Sequence, residues 1–160
     1  MDRESEHRVV VLGVGNELLK DEGVGVHTAR ALTAEPWASS LEVIESGSAL
    51  DALPTGRPIS KLVVVDAVCG GGEPGSVYRF TPEDVELEAT RIASLHELNL
   101  FDALRLNGLA GIKPAETVII GVEPKDVGWG IELSAEVESR LPEVLRIVRE
   151  EVGHSREKRG

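Results

Sequence analysis

The stretch Val9-Val10-Val11-Leu12-Gly13-Val14-Gly15-Asn16-Glu17-Leu18-Leu19-Lys20-Asp21-Glu22-Gly23-Val24-Gly25 decides the architecture. Val9 to Leu12 are apolar and mostly β-branched, which suits a strand buried on both faces. Gly13 and Gly15 then let the backbone turn sharply or approach another group closely. Asp21 is placed to cap a helix over Glu22 to Thr33, with Val24, Ala31 and Leu32 on its buried stripe. A strand therefore delivers two carboxylates to one edge of a sheet, where a helix begins.

Outward from this stretch, strands and helices alternate. Leu41 to Glu45 reads as a second strand, and Ser46-Gly47-Ser48 as a turn opening a short helix toward Leu53. Leu62 to Val65 is the clearest strand and is expected to end on Asp66. Gly70 to Gly75 is a turning connection, followed by a short edge strand over Ser76 to Phe80. Ser94-Leu95-His96-Glu97 fits a capping box, with a helix behind it running to Leu106 and stopped by Asn107-Gly108. Thr117 to Ile120 is the last strand. Ser134 caps a final helix whose apolar positions Val137, Leu141, Val144, Leu145, Val148 and Val152 recur at helical spacing, with a kink or break expected just before Pro142. This alternation predicts an α/β fold: one three-layer domain with a mostly parallel twisted sheet between helices. The domain is expected over 8–152, with a charged lead-in at 1–7 and a polar tail at 153–160.

Composition narrows the function. The 160 residues suffice for one domain with its own core. The 28 acidic and 17 basic residues leave a net charge of −11, which disfavours phosphate-driven nucleic-acid binding. No apolar run has membrane-spanning length. The charged N-terminus and the single cysteine, Cys69, point to a reducing cytoplasm and exclude an internal disulfide framework.

In open parallel sheets, ligands gather beyond the carboxyl ends of the strands. Glu22 follows the first strand, Asp66 ends the central one, and His96 stands in the first turn of a helix that should start on that edge. Two carboxylates and an imidazole form a ligand set for nickel, zinc or another divalent metal, and a set that could activate water. Each residue also has a structural explanation. Glu22 favours the positive end of a helix, and His96 could be a cap-region histidine. Asp66 is harder to explain that way, because a carboxylate closing an apolar run carries a desolvation cost. Two other chemistries compete. Gly13-Val14-Gly15-Asn16-Glu17-Leu18 starts like a dinucleotide fingerprint, with Glu45 as its ribose acid, but Leu18 replaces the third glycine. Cys69 could be a nucleophile with His96 as its base.

Taken together, the segments resemble the NiFe-hydrogenase maturation endopeptidase family. The resemblance rests on Gly13-Val14-Gly15-Asn16, Asp21-Glu22-Gly23-Val24-Gly25, Val65-Asp66-Ala67, Ser94-Leu95-His96-Glu97, Gly121-Val122-Glu123-Pro124 and Gly130-Ile131-Glu132-Leu133-Ser134, in family order from Arg8 to Val152. It implies a fold with a central sheet between helices. It also implies an endopeptidase, metal-dependent and sometimes classed as aspartic-type, that removes the C-terminal extension of the hydrogenase large-subunit precursor once nickel is in place. Glu22, Asp66 and His96 would be both metal ligands and catalytic residues, with the nickel carried by the precursor. The precursor is the expected partner, rather than nucleic acid, a membrane or a regulated enzyme. Where the family commonly has Asp-Gly-Gly-Thr, this chain has Glu45-Ser46-Gly47-Ser48, the segment expected to guide the substrate tail. The glycines of the opening stretch are then expected to leave room for that tail. The alternatives are a non-catalytic, nickel-sensing chaperone of the precursor and a nucleotide-binding domain.

Overall fold

A computed structural model describes residues 8–47, 58–87, 93–94 and 114–157. In chain order the elements are β1 (Val9–Val14), a 3-10 turn (Lys20–Gly23), α1 (Val24–Thr33), β2 (Glu42–Ser46), β3 (Lys61–Cys69), β4 (Val77–Phe80), α2 (Pro82–Leu87), β5 (Ala93–Ser94), β6 (Glu116–Val122), α3 (Ala135–Glu138) and α4 (Leu141–Glu157), with a second short 3-10 turn at Pro36–Ala38. The sheet order is β2-β1-β3-β6-β4, and β5 pairs with β3 off that path. β1–β2, β1–β3 and β3–β6 are parallel, whereas β4 closes the edge antiparallel to β6. The α/β expectation holds, including the short edge strand, which runs antiparallel.

Alternation along the strands sorts the core. Val9, Val11, Val63, Val65, Ile120 and Val122 pack with Val24 and Leu32 of α1 and with Val144, Val148 and Val152 of α4. Val10, Leu12, Val14, Leu62, Val64, Val68 and Ile119 form a second cluster on the opposite face. The apolar stripe of α4 follows from its helical spacing, and the break before it, between Glu138 and Leu141, falls where Pro142 requires one. Ser134 caps α3 as expected, its hydroxyl accepting from the Val137 N–H. α4 also runs on through the first part of the polar tail, to Glu157. The expected helices toward Leu53 and from Ser94 to Leu106, together with the Asn107-Gly108 stop, lie outside the described residues.

Three local expectations are corrected. β3 does not stop at Asp66 but continues to Cys69, with Asp66 opposite Gly121 and Ala67 opposite Val122 in the β6 register. Asp21 is not a helix cap. The residue before α1 is Gly23, no side chain caps that helix, and Asp21 is buried in the preceding 3-10 turn. The opening glycines seat the chain's own backbone rather than leaving general room for a guest, and of Gly13, Gly15, Gly23 and Gly25 only Gly15 borders a cavity. A Cβ on Gly25 would lie 2.2 Å from the Val65 carbonyl oxygen and 2.4 Å from that of Val14. At Gly15 (φ +148°) it would lie 2.0 Å from the Glu22 carbonyl oxygen. These residues let α1 and the 3-10 turn sit directly on the sheet.

At the amino end of β3, Lys61 is 2% exposed, and its ammonium donates to the Glu151 backbone carbonyl at 2.9 Å and pairs with the Glu151 carboxylate at 2.6 Å. Arg79 meets the same carboxylate, and Glu116 lies 3.6 Å from the Lys61 amine. Burial pushes the Lys61 amine below its ordinary pKa, and Glu116 opposes the shift. Truncating one partner leaves the other buried with less compensation. Lys61→Met is therefore expected to lower the unfolding free energy by about 2 kcal/mol, with Arg79 still holding Glu151, as read by urea denaturation.

Candidate active site

The order β2-β1-β3 reverses the direction of sheet growth at β1. The chain goes from β1 through α1 to β2 on one side, and then crosses back to β3 on the other. Such a switch point opens a crevice beyond the carboxyl ends of the two strands. Glu22 stands on the 3-10 turn after β1, and this turn packs against both α1 and β3. Asp66 stands on β3 and is only 1% exposed, with Oδ1 accepting from the Ala67 N–H at 2.8 Å. A carboxylate at that depth in an otherwise apolar strand is costly, and such groups concentrate where chemistry needs them. Glu22 is half-buried. The fold thus brings the segments carrying Glu22 and Asp66 to one edge. His96 and its neighbour Glu97 lie outside the described residues, but Ser94, two positions earlier, pairs with Val68 beside the carboxyl end of β3. Among the described residues, no three His, Cys, Asp or Glu side chains form a metal-binding group.

The segment expected to guide a substrate tail begins at the end of β2, the strand paired with β1. Glu45, Ser46 and Gly47 line a cavity of about 310 Å³ together with Gly15, Asn16, Glu17, Leu18 and Val26. The Gly15 N–H donates to the Ser46 carbonyl at 3.0 Å, joining the two loops at the base. The Glu45 carboxylate is held by Arg30, which also pairs with Glu17. Ser48 lies outside the described residues.

The role of Asp21 is invisible to local reading. Fully buried, it accepts from the backbone N–H groups of Lys125 and Asp126 at 2.9 Å and from the Ser134 N–H and hydroxyl at 2.8 Å. Its own N–H donates to the Asp126 carbonyl. On either side, the Lys20 N–H donates to Gly130 and the Gly130 N–H to Leu18. Lys20 takes a left-handed conformation (φ +45°) to do so, at a cost of about 1 kcal/mol that this zipper offsets. Asp21 therefore stitches the loop 124–134 to the turn that carries Glu22. Asparagine at this position turns an acceptor into a donor facing N–H groups. Asp21→Asn is expected to cost about 2 kcal/mol of stability and to speed amide exchange at Lys125, Asp126 and Ser134.

Glu123 is a second missed residue. Buried after β6, it accepts from the Gly70 N–H at 3.1 Å and from the Tyr78 hydroxyl at 3.0 Å, ordering the glycine turn after β3. It also bears on Cys69. Partial desolvation, with the Glu123 charge adding to it, raises the thiol pKa. A nucleophilic cysteine needs the opposite shift, so the geometry argues against the thiol mechanism. Cys69 is expected to alkylate several-fold more slowly than a free thiol at pH 8, and Glu123→Gln is expected to accelerate it, as followed by mass.

Comparison with known proteins agrees with this layout. A family model described as hydrogenase maturation protease matches residues 26–151. The chain belongs to the hydrogenase maturation protease family. It is 31% identical over 150 residues to the hydrogenase 2 maturation protease of Escherichia coli K12, covering 89% of this chain and 92% of that protein. It is 29% identical over 151 residues to the hydrogenase expression/formation protein HupD of Thiocapsa roseopersicina, covering 91% of this chain and 68% of the relative. Among solved structures, the NiFe hydrogenase maturation protease HybD from Thermococcus kodakarensis superposes with a TM-score of 0.77 at 30% identity, covering 91% of this chain and 99% of that one. The hydrogenase maturating endopeptidase HybD from E. coli does so with a TM-score of 0.75 at 27% identity, over 92% and 93% of the two chains. Membership makes this chain a hydrogenase maturation protease by class, with the single-domain α/β fold of its relatives. Among the described residues, no helix is long and apolar enough to cross a membrane.

Proposed function

We propose that this protein is a cytoplasmic endopeptidase that removes the C-terminal extension of a nickel-loaded NiFe-hydrogenase large-subunit precursor. The observation that carries this reading is the buried Asp66 carboxylate on β3, at the switch point of a chain from this family, with Glu22 on the adjacent turn. His96 completes the proposed set. Nickel belongs to the substrate in this account: the precursor brings it, and Glu22, Asp66 and His96 recognise it as part of the substrate. Two carboxylates and an imidazole suit such a divalent ion, and zinc would fit the same donors.

The chemistry is peptide hydrolysis. A carboxylate at this edge takes a proton from a water molecule, whose oxygen attacks the scissile carbonyl. The C–N bond then breaks, the amine leaves with a proton, and the new C-terminus is a carboxylate. The Glu45 to Ser48 segment would receive the tail, using the cavity that Glu45, Ser46 and Gly47 line with Gly15 to Leu18. Because Arg30 occupies the Glu45 carboxylate, tail recognition falls to Ser46, Gly47 and the loop backbone rather than to a free charge at Glu45.

The test mixes the protein with nickel-loaded and nickel-free precursor and follows the precursor's mass. The loaded form is expected to lose one C-terminal peptide while the nickel-free form stays intact. Tight binding without cutting of either form would instead make the protein a chaperone, and no cleavage under conditions where a cognate protease works would sink the assignment.

A further inference from the structure

Four large apolar side chains stand exposed on the loops that Asp21 stitches together: Leu18, Val127, Trp129 (81% exposed) and Ile131 (66% exposed). Exposed apolar residues scattered singly need no explanation, but a contiguous group does. Backbone hydrogen bonds bring the two segments that carry them side by side. Gly130, between Trp129 and Ile131, bonds to Leu18 and Lys20 in both directions and bridges Leu19. The group is also held rigid, since Asp21 and the Lys20–Asp126 pair, 2.9 Å apart, fix the loop that bears it. A preorganised surface loses less entropy on association than a mobile one.

Leu18 belongs both to this patch and to the wall of the cavity at Glu45 to Gly47, so the patch borders that cavity. The charge beside it has one sign to spare. Lys20 and Lys125 are engaged by Asp126 and Glu136, whereas the exposed Glu132, next to Ile131, has no ion-pair partner among the described residues. We infer that Leu18, Val127, Trp129 and Ile131 are the docking surface for the folded body of the substrate protein, which presents an apolar patch flanked by basic side chains there while its tail enters the cavity. This inference rests on the proteolytic reading above. Trp129 is the anchor, as a large aromatic side chain that can be fully desolvated at an interface, and Glu132 supplies the polar rim.

The experiment measures steady-state cleavage of the nickel-loaded large-subunit precursor by the wild-type protein and by Trp129→Ser/Ile131→Ser, with sedimentation of the free proteins in parallel. The docking surface predicts a fall in kcat/KM of about thirtyfold, residing in KM. It also predicts a milder, several-fold rise in KM for Glu132→Lys, which fades as salt screens the charge. Glu132→Lys disturbs no buried group, so it carries the test if the double variant fails to fold. A double variant with wild-type KM overturns the docking surface while leaving the protease reading intact. So does a wild-type dimer that the double variant converts to monomer, because the patch would then serve a second copy of this chain. If the wild-type protein cuts nothing, the protease reading fails by itself. Calorimetric titration of the same precursor then decides the surface: affinity lost in the double variant upholds it, and equal affinity or no binding overturns it.

Discussion

Asp66→Asn is expected to lower kcat/KM for precursor cleavage by on the order of a hundredfold or more, without unfolding the protein. The substitution keeps the shape of the side chain and an oxygen able to accept from the Ala67 N–H, so the strand has no reason to move. What it removes is the carboxylate at a position 1% exposed inside an apolar strand. Burying a carboxylate at that depth carries a desolvation cost. The melting temperature is therefore expected to stay within about two degrees of wild type or to rise, while activity is lost. A residue with a purely structural role would show the reverse, a lower melting temperature with residual activity in the fraction still folded. Glu22→Gln and His96→Ala are expected to lose activity on the same scale. Full activity in Glu22→Gln would remove that carboxylate from the set.

Gly25→Ala is expected to be strongly destabilising for a single added methyl, costing about 3 kcal/mol or more. Most overpacking substitutions have an escape, because a neighbouring side chain rotates. Here the neighbours are backbone: the added carbon would meet the Val65 and Val14 carbonyl oxygens and the Val14 nitrogen, all within 2.6 Å. Relief requires α1 to lift off β1 and β3, which opens the cluster in which Val24 and Leu32 meet Val11, Val63 and Val65. The 3-10 turn with Glu22 precedes the helix directly and would move with it. Chemical denaturation should show a large fall in midpoint, and whatever protein remains folded should have lost cleavage activity too. Near-wild-type stability in this variant would contradict the close seating of α1 on the sheet.

These two positions show how unevenly the chain discloses itself. Val9 to Leu12 and Leu62 to Val65 are legible because β-branched runs bounded by glycine or charge have few alternatives to a buried strand. Ser134 and Pro142 are legible because a cap and a helix break are decided within a few residues. The extension of β3 past Asp66 is not, because a carboxylate looks like the end of an apolar strand unless its function justifies its burial. The glycines of the opening stretch are recognisable as sites of close approach, but their sequence does not say what approaches. The answer, the chain's own carbonyl groups, exists only once the helix has folded back onto the sheet. Asp21 illustrates the same limit. Locally it is an ordinary cap before a helix, yet its hydrogen-bond donors lie 104 to 113 residues further along the chain. The Lys61–Glu151 pair joins positions 90 residues apart and carries no local signal at all. Of the candidate site, the carboxylates could be found in advance because they interrupt apolar patterns, whereas the residues that hold their loops in place could not.

Cleavage of a precursor by the carboxylates at the β1/β3 edge is read from intact mass. Nickel-loaded large-subunit precursor is incubated with the wild-type protein and with Asp66→Asn, side by side and at equal concentration. One shortened precursor and one released C-terminal peptide, their masses adding to the precursor plus one water, are expected with the wild-type protein alone. A precursor left whole by the wild-type protein, or shortened equally by Asp66→Asn, would contradict this expectation.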